Sequence, residues 1–397
     1  MPFGLVTSMF LLWGLANNMT DTLLAAFRRI MAMSDTETSL IQFAFYGSYF
    51  CFALPAALFI RRHSFKAGIL LGLLLYAAGA MLFLPAAYAA SYAFYLVAIY
   101  VMAGGCSVLE TTANPYIMSM GSAETATRRL NIAQSFNPIG SILGILLSKY
   151  FILDDISLYS VSGTYTALGM VLLLILSAML FVRMPGGSDG SDGGDSLGAA
   201  FRRLAANRLY RRGVVAQFFY IGAQIGLWSF AIRLVMEETG CREAEASNVY
   251  LLAIVGHCVS RFVYTWLMRW VAPERLLVAG GVLSTVASAC VVAGRGTGTG
   301  VLAALVLAST FMSLMFPTIY GIALGGVARS EHPADSKIGA SGLIMAILGG
   351  AVLTPVQGIL SDLAGVYTSY LLPTFCFVVV TAYALYAAYH SAKARRP

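Results

Sequence analysis

The feature that most constrains the fold is a run of uncharged residues too long and too apolar for a water-soluble domain. No residue from Ala67 to Leu109 carries a charge, and Glu110 is the first to interrupt the run. The composition agrees, because 59% of the chain is hydrophobic, 11% is charged and the mean hydropathy is +0.78. A helix needs about 20 apolar residues to cross a bilayer. The sequence therefore predicts an all-α membrane protein with many spans.

Clusters of charge, glycine and proline divide the apolar sequence into segments of membrane-spanning length. We predict twelve transmembrane helices, an even number that places both termini on one side of the lipid bilayer. The predicted spans are 3–31, 38–60, 67–88, 92–119, 127–151, 160–183, 211–237, 244–269, 274–293, 299–325, 336–359 and 366–390.

The distribution of basic residues predicts the orientation of these spans. Most of the 25 Lys and Arg residues fall on the side that also carries Lys393, Arg395 and Arg396. Because cytoplasmic loops carry the excess of Lys and Arg, we expect both termini in the cytoplasm and the protein in the cytoplasmic (inner) membrane. The net charge of +7 follows from this asymmetry and is no argument for a nucleic-acid partner. No basic segment precedes the first apolar run, so we expect no cleaved signal peptide.

A change of composition near the middle divides the chain. We predict an N-terminal six-helix bundle over 1–184, a cytoplasmic linker rich in Gly, Ser and Asp over 185–210, and a C-terminal six-helix bundle over 211–397. The segment Asn114–Ile117 finds a weak echo in Phe316–Ile319. Parallel repeats of this kind are typical of two bundles related by pseudo-two-fold symmetry, with a substrate site near the midplane.

Asp21 and Glu110 are the acidic residues that lie deepest in the apolar sequence. A charged side chain at membrane depth costs about 2.5 to 3.5 kcal/mol even on the mildest insertion scales, so it persists mainly where it lines a cavity or has a partner. We therefore hypothesise that both carboxylates face one central cavity. The alternatives are a headgroup-level carboxylate at a helix end for Asp21 and a structural carboxylate, hydrogen-bonded between helices, for Glu110.

Polar and aromatic residues accompany both carboxylates. Trp13 and Asn17 share a helix face with Asp21, and Asn114 lies one turn beyond Glu110 on the same face. These side chains offer the hydrogen-bonding groups and the ring that a sugar requires.

Further candidates lie later in the chain. Gln134 and Asn137 are three residues apart, so we expect them to share one face of the fifth helix. For His257 and Arg261 we expect polar contacts between helices, and Arg261 is also a candidate brace for the cytoplasmic gate. In the C-terminal half, packing in the helix core is an equally good explanation for the polar and aromatic candidates, which are Gln217, Tyr220, Gln224, Trp228 and Tyr320.

Three classes of function can be weighed against this pattern. A proton-driven sugar carrier fits best, because a carboxylate in a closing cavity can hold a proton that it would lose in water, and the polar cluster matches sugar hydroxyls. An exporter of amphipathic drugs would have a larger and mostly apolar cavity. An intramembrane protease would need paired membrane aspartates, a GxSxG motif or an HExxH motif, and the sequence contains none of these.

Four segments, Trp13–Asp21, Leu109–Tyr116, Arg129–Asn137 and Ala216–Ser229, resemble those of the fucose:proton symporters of the major facilitator superfamily. The resemblance covers nearly the whole chain. It implies the major facilitator fold and proton-coupled sugar uptake by alternating access, with L-fucose as the leading substrate. It also implies a monomer that is not an enzyme and needs no cofactor, with the transmembrane proton gradient as its energy source.

The resemblance implies roles for single residues. Asp21 would carry the proton, Glu110 would couple protonation to sugar binding, and Gln134 and Asn137 would bind sugar hydroxyls. Related glucose/galactose carriers tend to have a neutral residue at the position of Glu110, which favours the fucose branch. Glucose, galactose and N-acetylhexosamines remain alternative substrates, because Thr20 and two neighbours of the motif residues, Thr112 and Pro138, depart from the family pattern.

Overall fold

The computed structural model describes residues 2–30, 35–148, 151, 157–184 and 196–394, and the regular structure within them is helical. The α-helices are α1 (Pro2–Ile30), α2 (Asp35–Arg62), α3 (Phe65–Met81), α4 (Phe83–Tyr88), α5 (Tyr92–Ser119), α6 (Ala126–Gln134), α7 (Asn137–Ser148), α8 (Leu158–Phe181), α9 (Leu197–Ala206), α10 (Arg208–Ser229), α11 (Ala231–Thr239), α12 (Glu243–Leu267), α13 (Pro273–Ala293), α14 (Thr299–Phe311), α15 (Met315–Ala328), α16 (Asp335–Met345), α17 (Leu348–Ala364), α18 (Val366–Ser369) and α19 (Leu371–Ala394).

The expectation of an all-α membrane protein is confirmed. Within the described residues, 10 helical stretches are long and apolar enough to cross a membrane, and the bent pair of α10 and α11 raises the number to 11. In addition, α1 contains the shorter apolar stretch Phe3–Leu15. The predicted span 92–119 coincides with α5, whereas the predicted spans 299–325 and 336–359 each consist of two consecutive helices.

Prolines explain two of the interruptions. α6 ends at Gln134 and α7 begins at Asn137, with Pro138 in its first turn. A 3-10 turn, Met312–Leu314, separates α14 from α15, and Pro317 lies in the first turn of α15. Proline has no backbone N–H and clashes with the carbonyl of the preceding turn, so it is tolerated best where a new helix begins.

The helices cluster into two compact units. Unit 1 comprises 1–122, 136–201 and 332–345, and unit 2 comprises 123–135, 202–331 and 346–397. In unit 2, α6 packs against α12 and α15, and the amide of Asn131 donates to the Thr318 hydroxyl at 3.3 Å. In unit 1, α16 packs against α2 and α5. Each unit therefore contains one short helix from the other half of the sequence.

Glycines allow α1 and α7 of unit 1 to pack with their main chains in contact. A Cβ atom on Gly14 would overlap the carbonyl oxygen of Asn137, and one on Gly140 would overlap that of Leu11. A Cβ on Gly144 would lie 2.7 Å from the carbonyl oxygen of Leu15. Small residues permit this close approach of membrane helices, so the Gly140–Gly144 spacing serves helix packing.

Candidate functional site

In unit 1, α1 and α5 border a small cavity with a volume of about 10 Å³. Glu110 of α5 and Trp13 of α1 both line it, and Phe10 and Cys106 complete much of its wall. Glu110 is only 3% exposed. The structure thus brings a buried carboxylate and an indole ring, two of the predicted site residues, to one small cavity.

A tyrosine that the sequence analysis did not single out fixes this indole. The Nε1–H of Trp13 donates to the hydroxyl of Tyr49, which lies on α2 and is buried. The Ser107 hydroxyl in turn donates to the carbonyl oxygen of Tyr49 at 3.1 Å, which ties α5 to the same point. The position of Tyr49 inside an apolar span could have indicated such a role, since a buried phenol needs a hydrogen-bond partner.

Two predicted amide side chains also belong to unit 1. Asn114 is fully buried on α5, one turn beyond Glu110. Asn137 is the first residue of α7, and its Nδ2 donates to the carbonyl oxygen of Phe10 at 3.3 Å. Because Phe10 lines the cavity, this bond holds Asn137 beside the wall that carries Trp13.

Asn17 and Asp21 both lie in α1, one and two turns beyond Trp13. Their side chains are outside the described residues, so their placement towards the cavity stays a prediction.

Gln134 ends α6 in unit 2 and is fully buried. Its carbonyl oxygen accepts a hydrogen bond from Nη1 of Arg261 at 2.7 Å, and Nε of Arg261 donates to the carbonyl of Ser313, also at 2.7 Å. Arg261 is only 5% exposed. The expected role of Arg261 in polar contacts between helices is confirmed, since it joins α12 to the end of α6 and to the 3-10 turn. α6 ends at Gln134 and α7 begins at Asn137, so the shared face expected for these two residues stays a prediction.

The amide of Gln217, which is buried on α10, has no hydrogen-bond partner in the described part of the protein. Buried polar groups almost always have a partner in the protein or in ordered water. This amide is therefore a candidate to hydrogen-bond a polar ligand. Tyr220, three residues later and also buried, has Arg261 beside its hydroxyl.

The remaining predicted residues of α10 are partly buried. The indole of Trp228 donates to the Ser309 hydroxyl at 3.0 Å and packs edge-on against His257, with ring centroids 5.0 Å apart. His257 in turn contacts the carbonyl of Ser309 through Nδ1 at 3.0 Å. These contacts favour a packing role for Trp228. Gln224 lies one turn before it and is half-buried.

The predicted residues thus divide between the units. Unit 1 contains Trp13, Glu110, Asn114 and Asn137, and unit 2 contains Gln134, Tyr220, Gln224 and Trp228.

Comparison with known proteins gives matches over nearly the full chain. Residues 5–335 match the Major Facilitator Superfamily. The L-fucose-proton symporter of Haemophilus influenzae is 41% identical over an alignment of 418 positions, which covers 96% of this chain and 95% of that protein. The L-fucose-proton symporter of Escherichia coli is 35% identical over an alignment of 412 positions, which covers 96% of this chain and 92% of that protein. A glucose/galactose transporter of Brucella abortus is 30% identical over 396 residues, covering 96% and 92%.

A solved structure supports the same relationship. The crystal structure of the transporter FucP in the outward conformation is 34% identical to this chain, and the match covers 98% of each chain with a TM-score of 0.87. The identity and the coverage are both far above the level at which only a fold is shared. The chain therefore belongs to the Major Facilitator Superfamily and, within it, to the family of the L-fucose-proton symporters.

Proposed function

We propose that this protein takes up L-fucose together with protons by alternating access. The observation that carries the proposal is the burial of Glu110 in a cavity that Trp13 also lines. A sugar needs hydrogen-bonding groups for its hydroxyls and an apolar ring for its C–H face. A carboxylate and an indole on one wall meet both needs, and the carboxylate adds a group that can exchange a proton.

In this proposal Asp21 carries the proton and Glu110 couples protonation to sugar binding. Desolvation disfavours a charged carboxylate, so closing a cavity around it favours the protonated form. Protonation lets the carrier reorient without moving a net charge through a medium of low dielectric constant. A membrane potential adds about 2.3 kcal/mol per proton for each 100 mV, which drives uptake.

The sugar hydroxyls have several proposed partners. Those from the first half of the sequence are Asn17, Glu110, Asn114, Gln134 and Asn137. Those from the second half are Gln224 and Tyr220, with Trp228 as a further ring, and we add Gln217 because its buried amide has no described partner. We further propose a monomer in the cytoplasmic membrane, with six-helix halves over 1–184 and 211–397 and both termini cytoplasmic.

Uptake of radiolabelled L-fucose into proteoliposomes with an imposed pH gradient tests the proposal. The wild type is compared with Asp21→Asn and Glu110→Gln. We expect gradient-driven accumulation by the wild type only, while Asp21→Asn retains sugar binding or counterflow, because a neutral Asn mimics the protonated carrier. Excess unlabelled glucose, galactose and N-acetylglucosamine serve as competitors.

Asp362→Asn is the matched control. This carboxylate is exposed and lies 3.6 Å from Arg233, so its loss leaves a proton site untouched. Uptake indifferent to the gradient and to both substitutions would overturn the proposal. Stronger competition by glucose or galactose than by L-fucose would keep the mechanism and change the substrate.

A further inference from the structure

Unit 2 contains a second cavity, which opens at one end of its helix bundle and has a volume of about 1090 Å³. Two helix beginnings and two helix ends meet around it. Arg208 begins α10, Glu274 lies in the first turn of α13, Arg329 follows α15, and Lys393 lies in the last turn of α19. All four residues line the cavity.

The charges in this cavity are not paired with each other. Among the described residues, no hydrogen bond or ion pair joins Arg208, Arg329 or Lys393 to a carboxylate. The Oε2 atom of Glu274 is buried and has no hydrogen-bond partner there either. Three positive charges therefore face one negative charge, and the surplus favours an anionic ligand. The carboxylate oxygen would accept a hydrogen bond from a donor on that ligand.

The same cavity has an apolar and aromatic wall that includes Ile322, Tyr386 and Tyr389. Tyr389 is 72% exposed, and tyrosines are enriched where membrane helices meet the headgroup region. The guanidinium of Arg212 lies 3.9 Å from the centre of the Tyr386 ring, which adds a further cation beside this wall. The wall suits an acyl chain, and the charged residues suit a headgroup.

We propose that this cavity binds an anionic phospholipid whose headgroup carries hydroxyl groups, as phosphatidylglycerol does. Arg208, Arg329 and Lys393 bind the phosphodiester oxygens, and the carboxylate of Glu274 accepts a hydrogen bond from a headgroup hydroxyl. Basic cavities between membrane helices bind lipid headgroups in this way. A free phosphate shares the anion chemistry but cannot use the apolar wall.

The test is native mass spectrometry of the purified full-length protein titrated with phosphatidylglycerol, phosphatidic acid and phosphatidylcholine. We expect phosphatidylglycerol to bind best and phosphatidylcholine worst. The triple variant Arg208→Gln, Arg329→Gln, Lys393→Gln should bind phosphatidylglycerol at least tenfold more weakly, since each cation contributes a charge-assisted hydrogen bond. Glu274→Ala should remove the preference for phosphatidylglycerol over phosphatidic acid, because phosphatidic acid has no headgroup hydroxyl.

Arg269→Gln is the matched control, since Arg269 is an exposed arginine in the connection between α12 and α13 and does not line the cavity. It should bind the lipid as the wild type does. Thermal unfolding of each variant separates loss of binding from loss of folding. For Glu274→Ala the measured quantity is the ratio of the affinities for phosphatidylglycerol and phosphatidic acid, which general destabilisation does not change. Unchanged phosphatidylglycerol binding by the triple variant, or equal binding of phosphatidylcholine, would overturn the proposal. Displacement of the lipid by millimolar inorganic phosphate would reassign the cavity to a soluble anion.

Discussion

Arg261 donates a hydrogen bond to the carbonyl oxygen of Gln134, the oxygen whose helical donor is missing because the residue four positions later is Pro138. Its second acceptor, the carbonyl oxygen of Ser313, also lacks a helical donor, because the residue four positions later is Pro317. One buried guanidinium therefore satisfies two main-chain oxygens that two prolines leave without an N–H. This explains how a positive charge at membrane depth contributes to the fold.

Replacing Arg261 should uncover both oxygens. We expect Arg261→Met to destabilise the protein, since each unsatisfied buried carbonyl costs about 1 to 3 kcal/mol, and to reduce L-fucose exchange more than tenfold. Arg261→Lys should be intermediate, because an ammonium lacks the planar fork that reaches both oxygens. Thermal unfolding measures the loss of stability, and counterflow measures the loss of exchange.

A second substitution tests the explanation. Pro138→Ala should partly rescue Arg261→Met, because it returns an N–H to the carbonyl oxygen of Gln134. Pro55→Ala should not rescue it, and equal rescue by both would contradict the explanation.

Trp13 and Tyr49 form a pair suited to a double-mutant cycle. Trp13→Phe and Tyr49→Phe each remove one partner of the same hydrogen bond, so each should reduce stability by about 1 kcal/mol and weaken L-fucose binding. The double variant should cost little more than either single change, which gives a coupling free energy of similar size. Tyr88→Phe, at an exposed position, is the control. Strictly additive effects in unfolding and binding assays would show that the two side chains act independently.

The contact between α1 and α7 predicts an unusual sensitivity to a single methyl group. Gly14→Ala places a Cβ against main-chain atoms of Asn137. Main-chain atoms cannot move aside as the end of a flexible side chain can, so folded protein and transport should be lost. Gly47→Ala has no atom within 4 Å of the new Cβ and should be neutral or stabilising by up to about 1 kcal/mol. The yield of monodisperse protein and the uptake of L-fucose are measured for both variants. Normal uptake by Gly14→Ala would mean that the helices are not packed this closely.

Gln217 should show opposite effects on stability and binding. Its buried amide has no partner among the described residues, so Gln217→Leu should leave the empty protein as stable or more stable, while the affinity for L-fucose falls about tenfold. Tyr370→Phe should do the reverse, because the Tyr370 hydroxyl already donates to the carbonyl of Leu227 at 3.1 Å. Isothermal titration and thermal unfolding distinguish the two patterns. A destabilised Gln217→Leu with normal affinity would assign this amide to packing.

The sequence predicts the helices better than it predicts their partners. The ends of α5 are correct because charge-free apolar sequence has sharp limits at its polar flanks. The predicted shared face of Gln134 and Asn137 assumes one uninterrupted helix, whereas α6 ends at Gln134 and α7 begins at Asn137, with Pro138 in its first turn. No local pattern indicates that Tyr49 meets Trp13 or that Phe10 meets Asn137, since periodicity identifies a buried face and not the helix that covers it.

The main-chain contact of α1 with α7 also bears on how such a carrier acquires new specificities. Asn137 is placed by glycines on which a Cβ would overlap main-chain atoms, so its position has little room to adapt under selection. Met9 and Ala113 line the cavity with their side chains, so a change in the size of either one changes the space beside Glu110. Laboratory evolution towards another hexose should therefore accumulate substitutions at these two positions and leave Gly14 and Gly140 unchanged.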